Sequence, residues 1–338
     1  MIRLRSGTDP GAAVKLLADA AREAGNVLGA GGSAVDLTVR YLSWTAAQER
    51  MFTGAFSRPD IERLLTTRRY WAIQATDSAS TPFLAAFVTL EVNARIEDFL
   101  HEKDALERNV AIWKVPSTQS AFAEHLHAIV VDTNVLMQHA GGVLELDLAT
   151  IADTYPTQSI AITIPAVVVE ELDVLKHANG KMTFGGVAHE RRWLATLALG
   201  WLDRIFPAEE RRVHLHRAVA VAGVVPPLYA VLLSDEPGHT PLNKADAEII
   251  DSALQLGSFA KTVTLASYDS HMIFAARHLG VRAHKLLEVP EADAGPGDTS
   301  APSEGEPIPS IGTGSMPVAE LTGDEPWLAT EGAGSPDA

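Results

Sequence analysis

The chain has 338 residues, 46% of them hydrophobic and 21% charged, which is the balance of a globular protein and excludes a wholly disordered or fibrous one. It contains no cysteine, so disulfides and cysteine-ligated zinc are excluded, in keeping with a reducing, cytoplasmic setting. The net charge of -16 is hostile to nucleic acid at first sight, but residues 288–338 hold 11 acids and no Lys or Arg, leaving 32 acids against 27 basic residues in 1–287. The folded part is therefore only mildly acidic, and charge alone neither favours nor forbids a phosphate-bearing substrate.

In chain order, the amino terminus MIRLRSGTDPGAA lacks an apolar core of signal-peptide length. Helical patterning then fills residues 1–122, in VKLLADAAREAGNVL (14–28), VDLTVRYLSWTAAQERMF (35–52) and ARIEDFLHEKDALERNVAIW (94–113). The apolar run FLAAFVTL at 83–90 is too short to span a bilayer, and no membrane association is expected. The glycine run GAGGS at 29–33 has no strand before it and no Lys-Ser/Thr after it, so it is expected to link two helices and not to cradle phosphate.

The character changes in residues 124–288. Short β-rich runs, AIVV (128–131), AITIP (161–165), VHLH (213–216), VTLAS (263–267) and VRAHKLL (281–287), alternate with helical segments at 167–177, 188–206, 244–256 and 270–280. This alternation predicts a three-layer α/β/α sandwich around a central parallel sheet, preceded by the helical region. Near-continuous apolar strands agree, because such strands are buried on both faces. Residues 289–338, rich in Gly, Pro, Ser and acids, are expected to form a disordered acidic tail, with VAELTGDEPWLA (318–329) as a short docking candidate.

Ligands collect beyond the carboxyl ends of strands in an open α/β sheet. Four acids are expected near that edge: Asp132 directly after the first strand, Asp269 just after VTLAS, Glu171 one to two turns into the helix after AITIP, and Asp246 near the start of a later helix. Each has an ordinary explanation, since Asp, Thr and Asn cap helices well and acids in first turns complement the helix dipole. Together they have a sharper one. Four gathered carboxylates would repel and raise one another's pKa unless a divalent cation neutralised them, and an oxygen-only donor set selects Mg²⁺ or Mn²⁺.

The strings VVDTNVLMQH, IPAVVVEELDVLKH, NKADAEIIDSAL and TLASYDSHMIFAARHLGVRAHKL, taken in this order, resemble the PIN-domain nucleases. The likeness is to the larger type, in which an EELDxLK helix is followed by an insertion, and it covers residues 126–287. The resemblance implies that Asp132, Glu171, Asp246 and Asp269 are the catalytic and metal-binding acids, with Glu170 as an adjacent alternative facing about 100° away on the helix. It implies a metal-dependent endoribonuclease acting on single-stranded RNA. In that reading Asp132 is shared by two ions, and Asn134 and Ser267 orient carboxylates and water. Thr133 completes the Asp-Thr-Asn signature and caps the following helix.

Two departures stand out. Ser267 replaces the usual Thr two residues before the last acid, and Ala245 and Ala247 flank Asp246, leaving Glu248 or Asp251 to substitute for a second acid there. Lys176, Lys181, Arg191, Arg192 and Lys244 are the candidates for flanking phosphates, while the histidines lack ligand spacing and Trp193 and Trp201 read as core or interface, with base stacking the lesser alternative. RNA is the expected partner, with a second copy of the chain, or a protein docking on the N-terminal region or tail, as further candidates. A PIN-like binding module of weak catalytic power is the alternative. A flap nuclease is disfavoured, because no Lys/Arg-rich helical arch is present.

Overall fold

The computed structural model describes residues 2–76, 83–115, 125–139, 143–184, 187–207, 210–215, 227–234 and 239–287. The expected acidic tail, residues 289–338, lies outside the described residues.

The N-terminal region is helical, as its patterning predicts. It comprises α1 (Pro10–Gly29), α2 (Ala34–Phe52), α3 (Arg58–Leu64), α4 (Arg68–Ala75) and α5 (Leu84–Trp113). Side-chain caps start the first four: Asp9, Ser33, Ser57 and Thr67 each accept a backbone N–H two or three residues into the helix. At Ser33 the partner Asp36 bonds back, completing a capping box. The glycine run is the linker it was expected to be. Gly31 and Gly32 have φ of +64° and +105°, and a Cβ on Gly32 would lie 3.1 Å from the Asp36 carboxylate. The apolar run at 83–90 is the start of α5, whose 30 residues make a rod roughly 45 Å long against which α1 packs. Among the described residues no helix is long and apolar enough to cross a membrane.

The α/β part follows as β1 (His127–Val131), α6 (Thr133–Gln138), α7 (Leu148–Ile151), β2 (Ile160–Pro165), α8 (Ala166–Leu175), a hairpin of β3 (Lys181–Phe184) and β4 (Val187–Glu190), α9 (Arg191–Ile205), β5 (Arg212–Leu215), β6 (Leu228–Leu233), α10 (Ala245–Leu256), β7 (Thr262–Ser267), α11 (Ser270–His278) and β8 (Arg282–Lys285). Six strands form a sheet in the order β5-β6-β2-β1-β7-β8. Every residue of β1 and β2 is buried, so both sheet faces are covered and the layered α/β arrangement holds.

Three features depart from the expected pattern. The sheet is parallel except at one edge, where β5 pairs antiparallel with β6 (His214 opposite Tyr229), so VHLH is a return strand outside the alternation. The strand LYAVLL of β6 was not expected, although Pro226-Pro227 and SDEPG (234–238) bound it in the sequence. The proposed helix at 188–206 begins only at Arg191, because Val187–Glu190 pairs with Lys181–Phe184.

Polar contacts hold the helical region together and tie it to the sheet. Glu102 of α5, buried, accepts the Ile2 N–H at 2.8 Å and an Arg63 guanidinium N–H at 2.7 Å. Arg212 of β5 donates from one Nη1 to the carbonyls of Ile112 and Lys114 at 2.7 Å each, at the end of α5 where carbonyls lack helical partners. A cation at a helix C-terminus is favourable, and charged hydrogen bonds contribute about 1.5–3 kcal/mol. Arg212→Ala should therefore lower stability by about 1–3 kcal/mol in urea unfolding, whereas a change below about 0.3 kcal/mol would show that the two regions hold together without it.

Candidate functional site

The chain order puts β1 at the centre of the sheet, with β2 and β6 added on one side and β7 and β8 on the other. The crevice at the carboxyl end of β1 is thus a topological switch point, where an α/β sheet takes its ligands. Asp132 is the first residue beyond β1, and it does two things at once. As N-cap of α6 its Oδ1 accepts the Val135 N–H at 2.8 Å, and its Oδ2 accepts a hydrogen bond from the Ser267 hydroxyl at the end of β7. The capping explanation and the site explanation are not alternatives, because one carboxylate serves both with separate oxygens.

The network continues outward. Ser267 Oγ accepts the Asp269 N–H at 2.9 Å, so one hydroxyl bridges the acid after β1 to the backbone that presents the acid after β7. Asp269 is itself an N-cap, accepting the His271 N–H at 2.7 Å, and its side chain is exposed. Thr133 Oγ1 donates to Glu171 Oε2 at 2.5 Å, linking the start of α6 to α8. The expectation that Thr133 caps α6 is corrected: Asp132 is the cap, and the Thr133 hydroxyl instead holds the α8 glutamate. Pro165 likewise ends β2 and caps α8 from outside, one position before the first turn.

Asp132 is 4% exposed, and its carboxyl is pushed up to about 6. Burial is the main cause, and the negative charges of Asp246 and Asp269 add to it against the lowering effect of the Ser267 and Val135 hydrogen bonds. Asp246, second residue of α10, is exposed and makes no side-chain hydrogen bond among the described residues. Three of the four acids are therefore close enough to sense one another through Asp132, and the fourth joins through Thr133. Among the described residues, however, no three carboxylate or imidazole side chains already stand at the spacing that would hold a metal ion. One fixed buried acid with two exposed acids and a half-buried one about it is a donor set that suits a hard cation bound partly through water.

The other expected residues sort clearly. Asn134 lies half-buried with no hydrogen bond to its side chain among the described residues. Neither substitute for a second acid beside Asp246 joins the cluster. Glu248 is buried and accepts from Leu242 N at 2.7 Å with His239 Nε2 at 2.6 Å, while Asp251 pairs with Arg3 at 3.0 Å. The physical reason is helical geometry: positions two and five residues on from Asp246 turn away from its face. Glu248 lines a cavity of about 600 Å³ with Arg63, Glu102, Trp113 and His239, which contains none of the four acids.

Of the basic candidates, Lys176 is paired with Asp173 and Arg192 with Glu190, whereas Lys181, Arg191 and Lys244 have no ion pair among the described residues. Trp201 is core at 6% exposure, but Trp193 is 51% exposed and stacks on His189. Sequence reasoning passed over His139 and Tyr268. Their rings stack at 6.1 Å and His139 Nε2 meets the Tyr268 hydroxyl at 2.6 Å, between Ser267 and Asp269. They lie 129 positions apart, so no local pattern announces the pair.

The fold and this rim define a three-layer α/β domain with a carboxylate site at its switch point. A family model described as PIN domain matches residues 129–287, which supports a PIN-domain assignment for that segment. PIN domains are generally nucleases and typically use divalent metals. No curated protein matches the chain.

Proposed function

We propose that the protein is a metal-dependent endoribonuclease that hydrolyses phosphodiester bonds of single-stranded RNA, with Asp132, Glu171, Asp246 and Asp269 as its Mg²⁺- or Mn²⁺-binding acids. The observation that carries this reading is Asp132: a carboxylate buried at the switch point, hydrogen-bonded to Ser267 from β7 and Val135, and pushed up chiefly by burial with a further contribution from Asp246 and Asp269. A cluster of like charges is costly on its own account and suits a protein that recruits a cation to it.

A bound divalent ion supplies Lewis-acid polarisation of the scissile phosphate and a water of lowered pKa. The chain's own residues do the rest. Asp132 is held rigidly by Val135 N–H and Ser267 Oγ, so its orientation is set before any ligand arrives. Asp246 and Asp269 are exposed and so accessible to a cation bound at the rim. Glu171 is steered by Thr133, and the Asn134 amide, without a hydrogen bond among the described residues, is available to orient a substrate oxygen or water. Lys244, at the start of α10, offers a flanking phosphate contact.

The test is cleavage of single-stranded RNA with Mn²⁺ or Mg²⁺, with and without EDTA. Metal-dependent cleavage is the expected result, and comparison with flap DNA checks the substrate class. A binding module of weak catalytic power is the second reading, favoured by the absence of three acids at ligand spacing among the described residues. It would be upheld by RNA binding without metal-dependent cleavage.

Ser267 supplies a finer test. Removing its hydroxyl frees Asp132 Oδ2 and loosens the Asp269 backbone, so Ser267→Ala should reduce cleavage about 10–100-fold, the range typical of groups that orient metal ligands. Ser267→Thr keeps the hydroxyl and should restore most of the rate. Equal loss in both variants would show that bulk at this position matters and the hydroxyl does not.

A further inference from the structure

The β3–β4 hairpin and the first turn of α9 make a second nucleic-acid surface that the carboxylate rim does not use. We infer that Trp193, stacked on His189 and flanked by Lys181 and Arg191, is a platform on which a base of single-stranded RNA stacks beside the cleavage site. This rests on the nuclease reading for its substrate but not for its geometry.

Four observations point the same way. Trp193 is 51% exposed although it lies on a helix whose apolar face (Leu194, Ala195, Ala198, Trp201, Leu202) is buried, so it serves no core. Its ring is nonetheless ordered: His189 lies parallel to it at 5.7 Å and 14°. The two rings are held by backbone, since β4 runs directly into α9 and the Arg191 N–H closes onto Gly180 O at 3.1 Å at the base of the hairpin. Gly180 has φ +129°, a conformation that only glycine adopts readily. Lys181 and Arg191 bracket this base, and neither has an acidic partner among the described residues, because Glu190, across the hairpin from Lys181, is taken by Arg192 at 2.7 Å.

A fixed aromatic face with unpaired cations around it matches the chemistry of single-stranded nucleic acid, in which every base offers a π-face and every step a phosphate. A double helix hides its bases and does not fit. The position is apt as well. α9 packs on α6 and α8, the helices that begin with Asp132 and carry Glu171, and α8 leads into the hairpin within a few residues. Because α9 packs against both of these helices, the nucleotides that stack there are ones flanking the bond to be cleaved.

The experiment uses the full chain and a fluorescein-labelled 12-nucleotide oligouridylate or oligoadenylate in EDTA, so that binding is read without cleavage. Trp193→Ala should weaken binding at least about 5-fold, given 1–3 kcal/mol per stacked base, while Trp193→Phe keeps most of the affinity. Lys181→Ala with Arg191→Ala should make the dependence of log K on log salt shallower by about 1.4, two phosphate contacts on a single strand. Melting curves of each variant control for folding, and a half-exposed Trp opens no cavity when truncated.

Unchanged binding in Trp193→Ala, or no binding of either oligonucleotide by the native chain, overturns the platform. The two readings fail separately. Cleavage abolished by Asp132→Asn but binding indifferent to Trp193 leaves the nuclease and removes the platform. Trp193-dependent binding without metal-dependent cleavage does the reverse.

Discussion

Asp132→Asn is expected to eliminate metal-dependent RNA cleavage, by about 10³-fold or more, and at the same time to make the metal-free protein more stable. The two effects have one cause. At pH 7 the native carboxyl is ionised although burial, Asp246 and Asp269 all oppose its charge, which holds its pKa near 6 against 3.8 for a free aspartate. At 1.36 kcal/mol per unit, this opposition destabilises the folded state at pH 7 by on the order of 2–3 kcal/mol. Asparagine keeps the shape, accepts the Val135 N–H through its carbonyl and lets Ser267 Oγ accept from its amide, so the fold stays intact without the buried charge. A rise of a few degrees in melting temperature should follow. The lost rate corresponds to about 4 kcal/mol of transition-state stabilisation, a magnitude appropriate to removing the central anionic ligand of a metal site. An asparagine variant that cleaves RNA at the native rate would end the nuclease proposal. One that loses activity and stability together would mean that the carboxylate is structural.

The second large effect is on pH dependence. Because the folded pKa of Asp132 lies above the unfolded value, the native chain binds more protons than the unfolded chain between about pH 4 and 6. Metal-free stability should thus be highest below pH 4 as far as this group is concerned, and fall as pH rises through that window. A divalent cation meets the opposite trend. Below about pH 6 it must displace the Asp132 proton, so its affinity should drop about tenfold for each further unit of pH and level off above 6. Melting at pH 5 and pH 7, with and without Mg²⁺, reads both trends in one experiment: the metal-induced rise should be small at pH 5 and large at pH 7. If Asp132→Asn shows the same pH profile as the native protein, some other group sets it.

Much of this protein is legible in its residues. The apolar runs of β1 and β2 identify buried parallel strands because only strands covered on both faces tolerate no polar alternation. An Asp at a strand end followed by Thr and Asn marks both a cap and a site, and the structure shows that one side chain fulfils both. Local rules failed where pairing is non-local. The antiparallel return of β5 on β6, and the hairpin that delays α9 to Arg191, depend on partners that a one-dimensional pattern does not name. The same limit hid the His139–Tyr268 contact and misdirected Glu248 and Asp251, whose partners His239 and Arg3 come from other segments.

Sequence alone therefore determined which residue types could do chemistry here: no thiols, four acids at strand ends or helix starts, and a resemblance that joins them in order. Tertiary structure decided which of those acids meet and in what state. Parallel pairing of β1 with β7 puts Ser267 against Asp132, and burial there raises the carboxyl to about 6. Spacing along a chain fixes which face of an element a side chain occupies, but proximity across a sheet and exclusion from water are properties of the packed assembly, where Coulomb and desolvation energies are set.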